Sequence, residues 1–439
     1  MSTERHPRIL LSAYQCGPGM GSVSQIGWEW YQRLARRTPV TLLTQVRNAP
    51  ALTRAGAPLA DSEVIYIDTE WLARPLFAVA RRLFRNSEHA VFMFASIDFY
   101  AYDRQALHLT RRRAARGARW DLVHAVTPVT TAAATRLHQL GLPLVLGPLN
   151  SGLGTPAAFH SVLSQDSAWL YPLRNFGRAA DWIAGSTRNA AMILVATRAT
   201  AASIAPRCRP RCVPMLENGV DLGRFRAAPW PPAPGAGQPL QALFVGRLVP
   251  FKGLTMLLEA IAAVRDTIEV RLSVVGDGPM RRQWEACAGR LGVADRVEFC
   301  GALGLDEVAA RMRAAHVFFL PSIRESGGAV LLEAMASARP VIAVDFGGPA
   351  EIVDEKVGRL APAAGPQAVS QAFAAALQEI AAAPEQWRRK GEEGRRRAER
   401  YFSWDAKIEQ ALRLYRDLPG GAMLRAGAHA TIRSGAMQP

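Results

Sequence analysis

The sequence predicts an α/β fold with two doubly wound parallel sheets, each in its own domain. Three observations lead there. Short β-branched or aliphatic runs alternate with helix-length amphipathic segments along the 439 residues. A stretch with four prolines and two glycines in thirteen residues, 226–238, splits the alternation into two series. Residues with distinctive chemistry cluster just beyond strand-like runs, where open α/β sheets bind their ligands.

The first series runs through the strand-like 8–14, a helical 22–36, strands at 40–44, 63–67 and 121–126, a helical 129–140, and strands at 142–147 and 191–197. These make a first domain over 1–217. The proline-rich stretch reads as an interdomain linker, because it can extend neither a helix nor a central strand. Strands at 240–246, 270–276, 296–301, 315–322 and 340–345 follow, each leading into a helical or connecting segment, for a second domain over 218–400. Beyond 385 the chain becomes a charged helix, and a Gly/Ala-rich tail over 419–439 is expected to be disordered.

Composition narrows the function. The longest apolar runs, such as 90–94 and 316–320, are far below the ~18 residues that cross a bilayer. The first residues show no signal-peptide pattern, so the expected location is the cytoplasm. Five spread cysteines suit reduced thiols; the pair Cys208 and Cys212 lacks the second ligand pair of a zinc site. The formal charge is +16, of which residues 1–217 hold +12 (25 Lys and Arg against 13 Asp and Glu). Ten arginines fall between 74 and 119, some interleaved with Leu and Phe, a pattern that fits an anionic membrane surface or an acidic ligand. With only four lysines in the chain, general arginine usage on solvated faces is an equal reading. Nucleic acid is not an expected partner, since no binding module or stacking aromatics accompany the basic run.

Three motifs carry the chemistry. After the first strand, Gly17, Gly19 and Gly21 precede a helix, which lets backbone amides approach a phosphate; a tight structural turn is the alternative. The dinucleotide fingerprint is incomplete, with Ser24 at its third position. In the second domain Arg247 follows a strand directly and Lys252 precedes a helix, a pair of cations suited to a diphosphate. Then comes "ESGGAVLLE": Glu325 in a loop, Gly327 and Gly328 opening a helix, Glu333 farther along it. The glycines leave amides facing an anion at the positive end of the helix, and Glu333, leaning back, can accept hydrogen bonds from two vicinal ribose hydroxyls. Glu325 is left for the group beyond the diphosphate.

With "ENGVD" at 217–221 and "VVGDGP" at 274–279, these motifs resemble the retaining glycosyltransferases of the GT-B fold, family 4, most strongly over 215–362. The resemblance implies two Rossmann-like domains facing a central cleft. Arg247, Lys252, Gly21, Gly327 and Gly328 would hold the donor diphosphate, Glu333 the ribose, and Glu325 the transferred sugar. His124 would stand near the reaction centre; a packed structural role is its other reading. A terminal helix over 402–417 would return to the first domain. Family members commonly carry an apolar residue between the loop glycines, where this chain has Ser326-Gly327-Gly328, which leaves the donor base and sugar open.

The expected activity is sugar transfer from a nucleotide-diphosphate sugar to a polysaccharide- or lipid-linked acceptor in bacterial exopolysaccharide, lipopolysaccharide or cell-envelope glycan synthesis. No metal or other cofactor is expected, because two cations can neutralise the leaving group and no Asp-x-Asp motif occurs. A non-catalytic sugar-nucleotide binder is the alternative; an NAD-dependent oxidoreductase would need the complete glycine fingerprint.

Overall fold

A computed structural model describes residues 6–83, 97–154, 156–159, 174–235 and 237–418. The expected tail over 419–439 and the apolar run at 90–94 lie outside them. The chain divides into two compact units: Met1–Gly152 with Trp169–Glu217 and Lys407–Pro439, and Leu153–Ala168 with Asn218–Ala406.

Among the described residues the first unit holds a seven-stranded sheet: β1 (Ile9–Ala13), β2 (Val40–Gln45), β3 (Glu63–Ile67), β4 (Leu122–Thr127), β5 (Leu144–Leu149), β6 (Met192–Val195) and β7 (Cys212–Pro214). Their spatial order is 3-2-1-4-5-6-7, with every pair parallel. All five β1 residues are buried, as expected for a strand covered on both faces. The helix Ser22–Ala35 follows it and packs against the flanking strands β4 and β2. A Cβ at Gly27 would sit 2.2 Å from the Gln15 carbonyl, so only glycine permits that approach.

The helix expected over 129–140 does not form. Only a single 3-10 turn, Leu137–Leu140, closes at its end. The amides along the way bond to side-chain oxygens instead: Thr131 to Ser151 Oγ (3.0 Å), Thr135 to Ser186 Oγ (2.7 Å), Arg136 to Asp103 Oδ2 (2.8 Å) and Leu137 to Thr135 Oγ1 (3.1 Å). A segment rich in threonine offers its backbone these alternatives, and they displace the helical ladder.

The second unit carries β8 (Leu240–Val245), β9 (Val270–Val275), β10 (Val297–Gly301), β11 (Val317–Leu320), β12 (Val341–Val344) and β13 (Gly358–Ala361). Their order is 10-9-8-11-12-13, again parallel throughout. Phe244, Phe319, Phe373, Trp284 and Trp387 anchor one core cluster. Both sheets therefore have the Rossmann-like reversal of strand order, at β1/β4 and at β8/β11.

The stretch 226–238 is not a linker. It is a strap across the second unit, which begins earlier, at Asn218. Trp230 packs on the core and its Nε1 donates to the His316 carbonyl (3.0 Å), while His316 bonds through Nε2 to the Pro232 carbonyl (2.8 Å). The fully buried Arg339 guanidinium donates to the Ala228 (3.3 Å) and Pro229 (2.9 Å) carbonyls, and to those of Met312, Arg313 and Ala338. Prolines bar regular structure here without barring packing, because a carbonyl and an indole suffice to fasten the chain.

The glycines of 274–279 fit the loop after β9 against the loop after β8. A Cβ at Gly276 would lie 1.9 Å from the Gly246 carbonyl at φ +133, whereas one on the exposed, helical Gly289 would meet nothing within 4 Å. Gly276→Ala is expected to cost roughly 2–4 kcal/mol in denaturant unfolding. Gly289→Ala should be neutral or add up to about 1 kcal/mol. Equal effects of the two would show that the close approach is not what the glycine serves.

Candidate functional site

The site is built where the second sheet reverses. Crossovers from β8 and β11 leave in opposite directions, so the loops 246–253 and 321–328 diverge over the carboxyl edge and no helix covers the gap. Two contacts bind them. The Ile323 amide donates to the Phe251 carbonyl (3.0 Å), and Gly253, at φ +62, opens the helix Leu254–Val264 with its α-carbon pressed on Pro321. Any side chain at Gly253 would put a Cβ 2.5 Å from the Pro321 carbonyl.

Lys252 and Glu325, 73 residues apart in sequence, meet there at 2.6 Å (Nζ to Oε2). Their side chains are only 14% and 17% exposed, so water screens the pair weakly. Glu325 Oε1 also accepts a longer hydrogen bond from the Gly328 amide (3.4 Å), at the start of the helix Ala329–Ala336. The Lys252 stem runs beside Gly246, where a Cβ would be 3.6 Å from its Cε. Arg247 stands exposed on the same loop, directly after β8. Gly327 is buried beside Gly328, whose φ of +53 makes glycine the natural cap. Five of the expected site residues thus share two touching loops.

Glu333 lies on the next turns of that helix. Burial pushes its carboxyl up to about 8, with the nearby Arg224 charge pulling the other way. A carboxyl so placed is poised to exchange a proton for hydrogen bonds from hydroxyl groups.

One part of the site is not among the residues expected from the sequence. The backbone of the 325–328 loop rests on Gly347 and Gly348, which follow β12: the Gly348 amide donates to the Glu325 carbonyl (2.9 Å), and Cβ atoms there would fall 2.3 Å from Glu325 O and 2.2 Å from Ser326 O. The Gly-Gly-Pro run after a strand was the available clue.

In the first unit Gly21, at φ +94, caps the helix Ser22–Ala35, exposed and with open space where a side chain would be. His124 is a different matter. It sits inside β4 rather than beyond it, with no exposed surface. Its Nε2 donates to the Gly147 carbonyl (2.7 Å), and its Nδ1 accepts from the Tyr415 hydroxyl (2.7 Å) on the terminal helix Trp404–Arg416. Trp30 closes the ring's edge at 4.8 Å between centroids. Neither nitrogen is left for a substrate, so the structure gives His124 the packing role that the sequence left open. It fastens the terminal helix to the first sheet, where the Lys407 ammonium, also buried, donates to the Leu216 carbonyl.

No group of three or more His, Cys, Asp or Glu among the described residues is arranged to hold a metal ion, and no described helix is long and apolar enough to cross a membrane. The five cysteines are free thiols.

Residues 239–381 match the family glycosyl transferases group 1. A D-inositol 3-phosphate glycosyltransferase of Segniliparus rotundus is 37% identical over 235 residues, 51% of this chain and 50% of that protein. The chain spans about half the length of the curated relatives it matches. Among solved structures, sucrose-phosphate synthase from Thermosynechococcus elongatus aligns over 96% of this chain and all of its own (TM-score 0.59, 21% identity). Anabaena HepE, solved with UDP, aligns over 94% and 100% (TM-score 0.61, 17% identity). Those likenesses establish a GT-B fold of two Rossmann-like domains.

Burial lowers the His124 pKa from 6.5 to about 4. The unfolded ring gains its proton at higher pH than the folded one, so stability from this residue is intact above 6.5 and is lost as pH falls from 6.5 towards 4. In an NMR titration the His124 ring signals should stay fixed between pH 8 and 6. Tyr415→Phe, which strands Nδ1, should lower unfolding free energy by about 1–3 kcal/mol. A ring titrating near neutrality would contradict the packed assignment.

Proposed function

We propose, from the match of residues 239–381 to the glycosyl transferases group 1 family, that this protein transfers a sugar from a nucleotide-diphosphate sugar to an acceptor hydroxyl. The observation that carries the reading is the meeting of Lys252, Glu325 and the Gly328 amide over the strand reversal of the second sheet. A diphosphate is the ligand that matches a cation pair and a helix terminus opened by glycines. Glu333 would accept the ribose hydroxyls, and Glu325 would meet the hexose beyond the phosphates.

In the proposed reaction the bond from the anomeric carbon to the terminal phosphate oxygen breaks and a bond from the same carbon to the acceptor oxygen forms. The acceptor proton passes to the departing diphosphate on the same face, which keeps the anomeric configuration and requires no protein base. Arg247, Lys252 and the Gly327–Gly328 amides stabilise the charge that grows on the leaving group. This set serves without a metal ion, and metal independence is part of the proposal. UDP-sugars head the donors to test, since HepE was solved with UDP.

For the acceptor we propose a lipid-linked or polysaccharide glycan reached at the cytoplasmic face of an anionic membrane. The helix Glu70–Leu83 supports this. Its outward side interleaves Trp71, Phe77 and Val79, exposed by 67%, 48% and 47%, with exposed Arg74, Arg81 and Arg82. Large apolar side chains alternating with cations on one surface suit a headgroup layer better than water.

Release of free nucleoside diphosphate that requires acceptor, on a panel of UDP-, GDP- and ADP-sugars, tests transfer; binding without turnover of any donor would leave a binding protein. Lys252→Ala should lower kcat/KM by about 10²–10³, and near-wild-type rates would sink the assignment. Donor KM should fall as pH rises through about 8, because only ionised Glu333 accepts both hydroxyls; Glu333→Gln should abolish that pH dependence. In flotation with phosphatidylglycerol vesicles at low salt, reversing Arg74, Arg81 and Arg82 to glutamate should release the protein. Unchanged flotation would remove the membrane proposal.

A further inference from the structure

The contacts of Glu325 have a chemical pattern of their own. Its carboxylate takes the Lys252 ammonium at 2.6 Å with one oxygen and the Gly328 amide at 3.4 Å with the other. A cation and the first amide of a helix are also the two kinds of donor that a phosphate seeks. Glu325 therefore holds the groups assigned above to the donor diphosphate. A glutamate that serves the sugar cannot stay there once phosphate arrives, since two anions cannot share one ammonium and one amide without strong repulsion.

We infer that Glu325 is a displaceable stand-in for phosphate. It neutralises Lys252 and the helix end until the donor diphosphate takes both over, and the exchange turns its carboxylate toward the hexose. The inference rests on the diphosphate site proposed above and adds the order of events within it: phosphate engagement precedes, and enables, sugar recognition.

Two features make a side-chain exchange the economical movement. The main chain beneath Glu325 is fixed by the Gly348 amide on its carbonyl (2.9 Å) and by the close seat on Gly347, so the loop itself has little freedom. The side chain is on the rim, 17% exposed, and its torsions cross only rotamer barriers. Lys252 stays in place meanwhile, its stem lying along Gly246 and its ammonium 5.9 Å from the Phe251 ring centroid. The pair is sufficiently shielded that neither member gains by standing alone, so a partner leaves only as another arrives. A nucleotide without a sugar would still displace Glu325, but the freed carboxylate would then have nothing to hold.

The test uses inorganic pyrophosphate and UDP as probes, titrated calorimetrically into the whole protein, wild type and Glu325→Gln, with Glu325→Ala as a second variant and thermal melting to verify folding. A displaceable stand-in predicts that both variants bind pyrophosphate more tightly than the wild type, by about tenfold, while sugar transfer is lost. Lys252→Ala should weaken pyrophosphate in either background. If instead the ion pair is a fixed brace that shapes the site, Glu325→Gln will bind pyrophosphate equally or less well, and the inference is overturned while the diphosphate site stands. If neither probe binds wild type or variants, the diphosphate site itself is wrong and the stand-in falls with it.

Discussion

A parallel sheet whose strand order reverses leaves two loops diverging over its carboxyl edge, and this constraint organises the second domain. Crossovers from β8 and β11 depart to opposite sides, so the loops 246–253 and 321–328 have each other as neighbours. Their mutual contact through Phe251, Ile323, Gly253 and Pro321 brings a lysine and a glutamate 73 residues apart to within 2.6 Å. Glycine is the means throughout. Gly253 and Gly276 let backbone touch backbone, Gly328 starts a helix with its amide turned to Glu325, and Gly347 with Gly348 supports the acidic loop from below. Larger residues at these points would separate the loops before any question of chemistry arose.

The alternation of apolar runs and amphipathic segments was legible because strands buried on both faces must be nearly all apolar, as β1 and β8 are. Short edge strands escaped. β7 is Cys-Val-Pro and β13 is Gly-Arg-Leu-Ala, with too little apolar length to register beside a central strand. The segment after β4 misled for a different reason: its alanines and leucines have helical spacing, but hydroxyl groups from Thr135, Ser151 and Ser186 claim the amides first. Such competition depends on residues distant in sequence and is invisible locally.

At the site, the positions that the structure gathers on two touching loops are those just beyond strands: Arg247, Lys252, Glu325 and the glycine pair at 327 and 328. His124 read ambiguously because a histidine three residues before a strand's end can face inward or open onto the edge. Register decides, and in β4 it turns the ring toward Trp30 and Tyr415. Gly347 and Gly348 could not be valued in advance, since their purpose is to leave room for a loop that precedes them by some twenty residues.

The strap over 226–238 has a consequence for how this second domain can vary. Arg339 and His316 hydrogen-bond to it through main-chain carbonyls, at Ala228, Pro229 and Pro232, and the prolines offer no amide hydrogens to compete for those acceptors. Trp230 adds its indole to the grip, donating to the His316 carbonyl and packing edge-on against its ring. Drift in the remaining letters of this segment is therefore cheap so long as its extended course survives, and orthologues should keep the arginine, the histidine and the indole while their intervening spelling diverges.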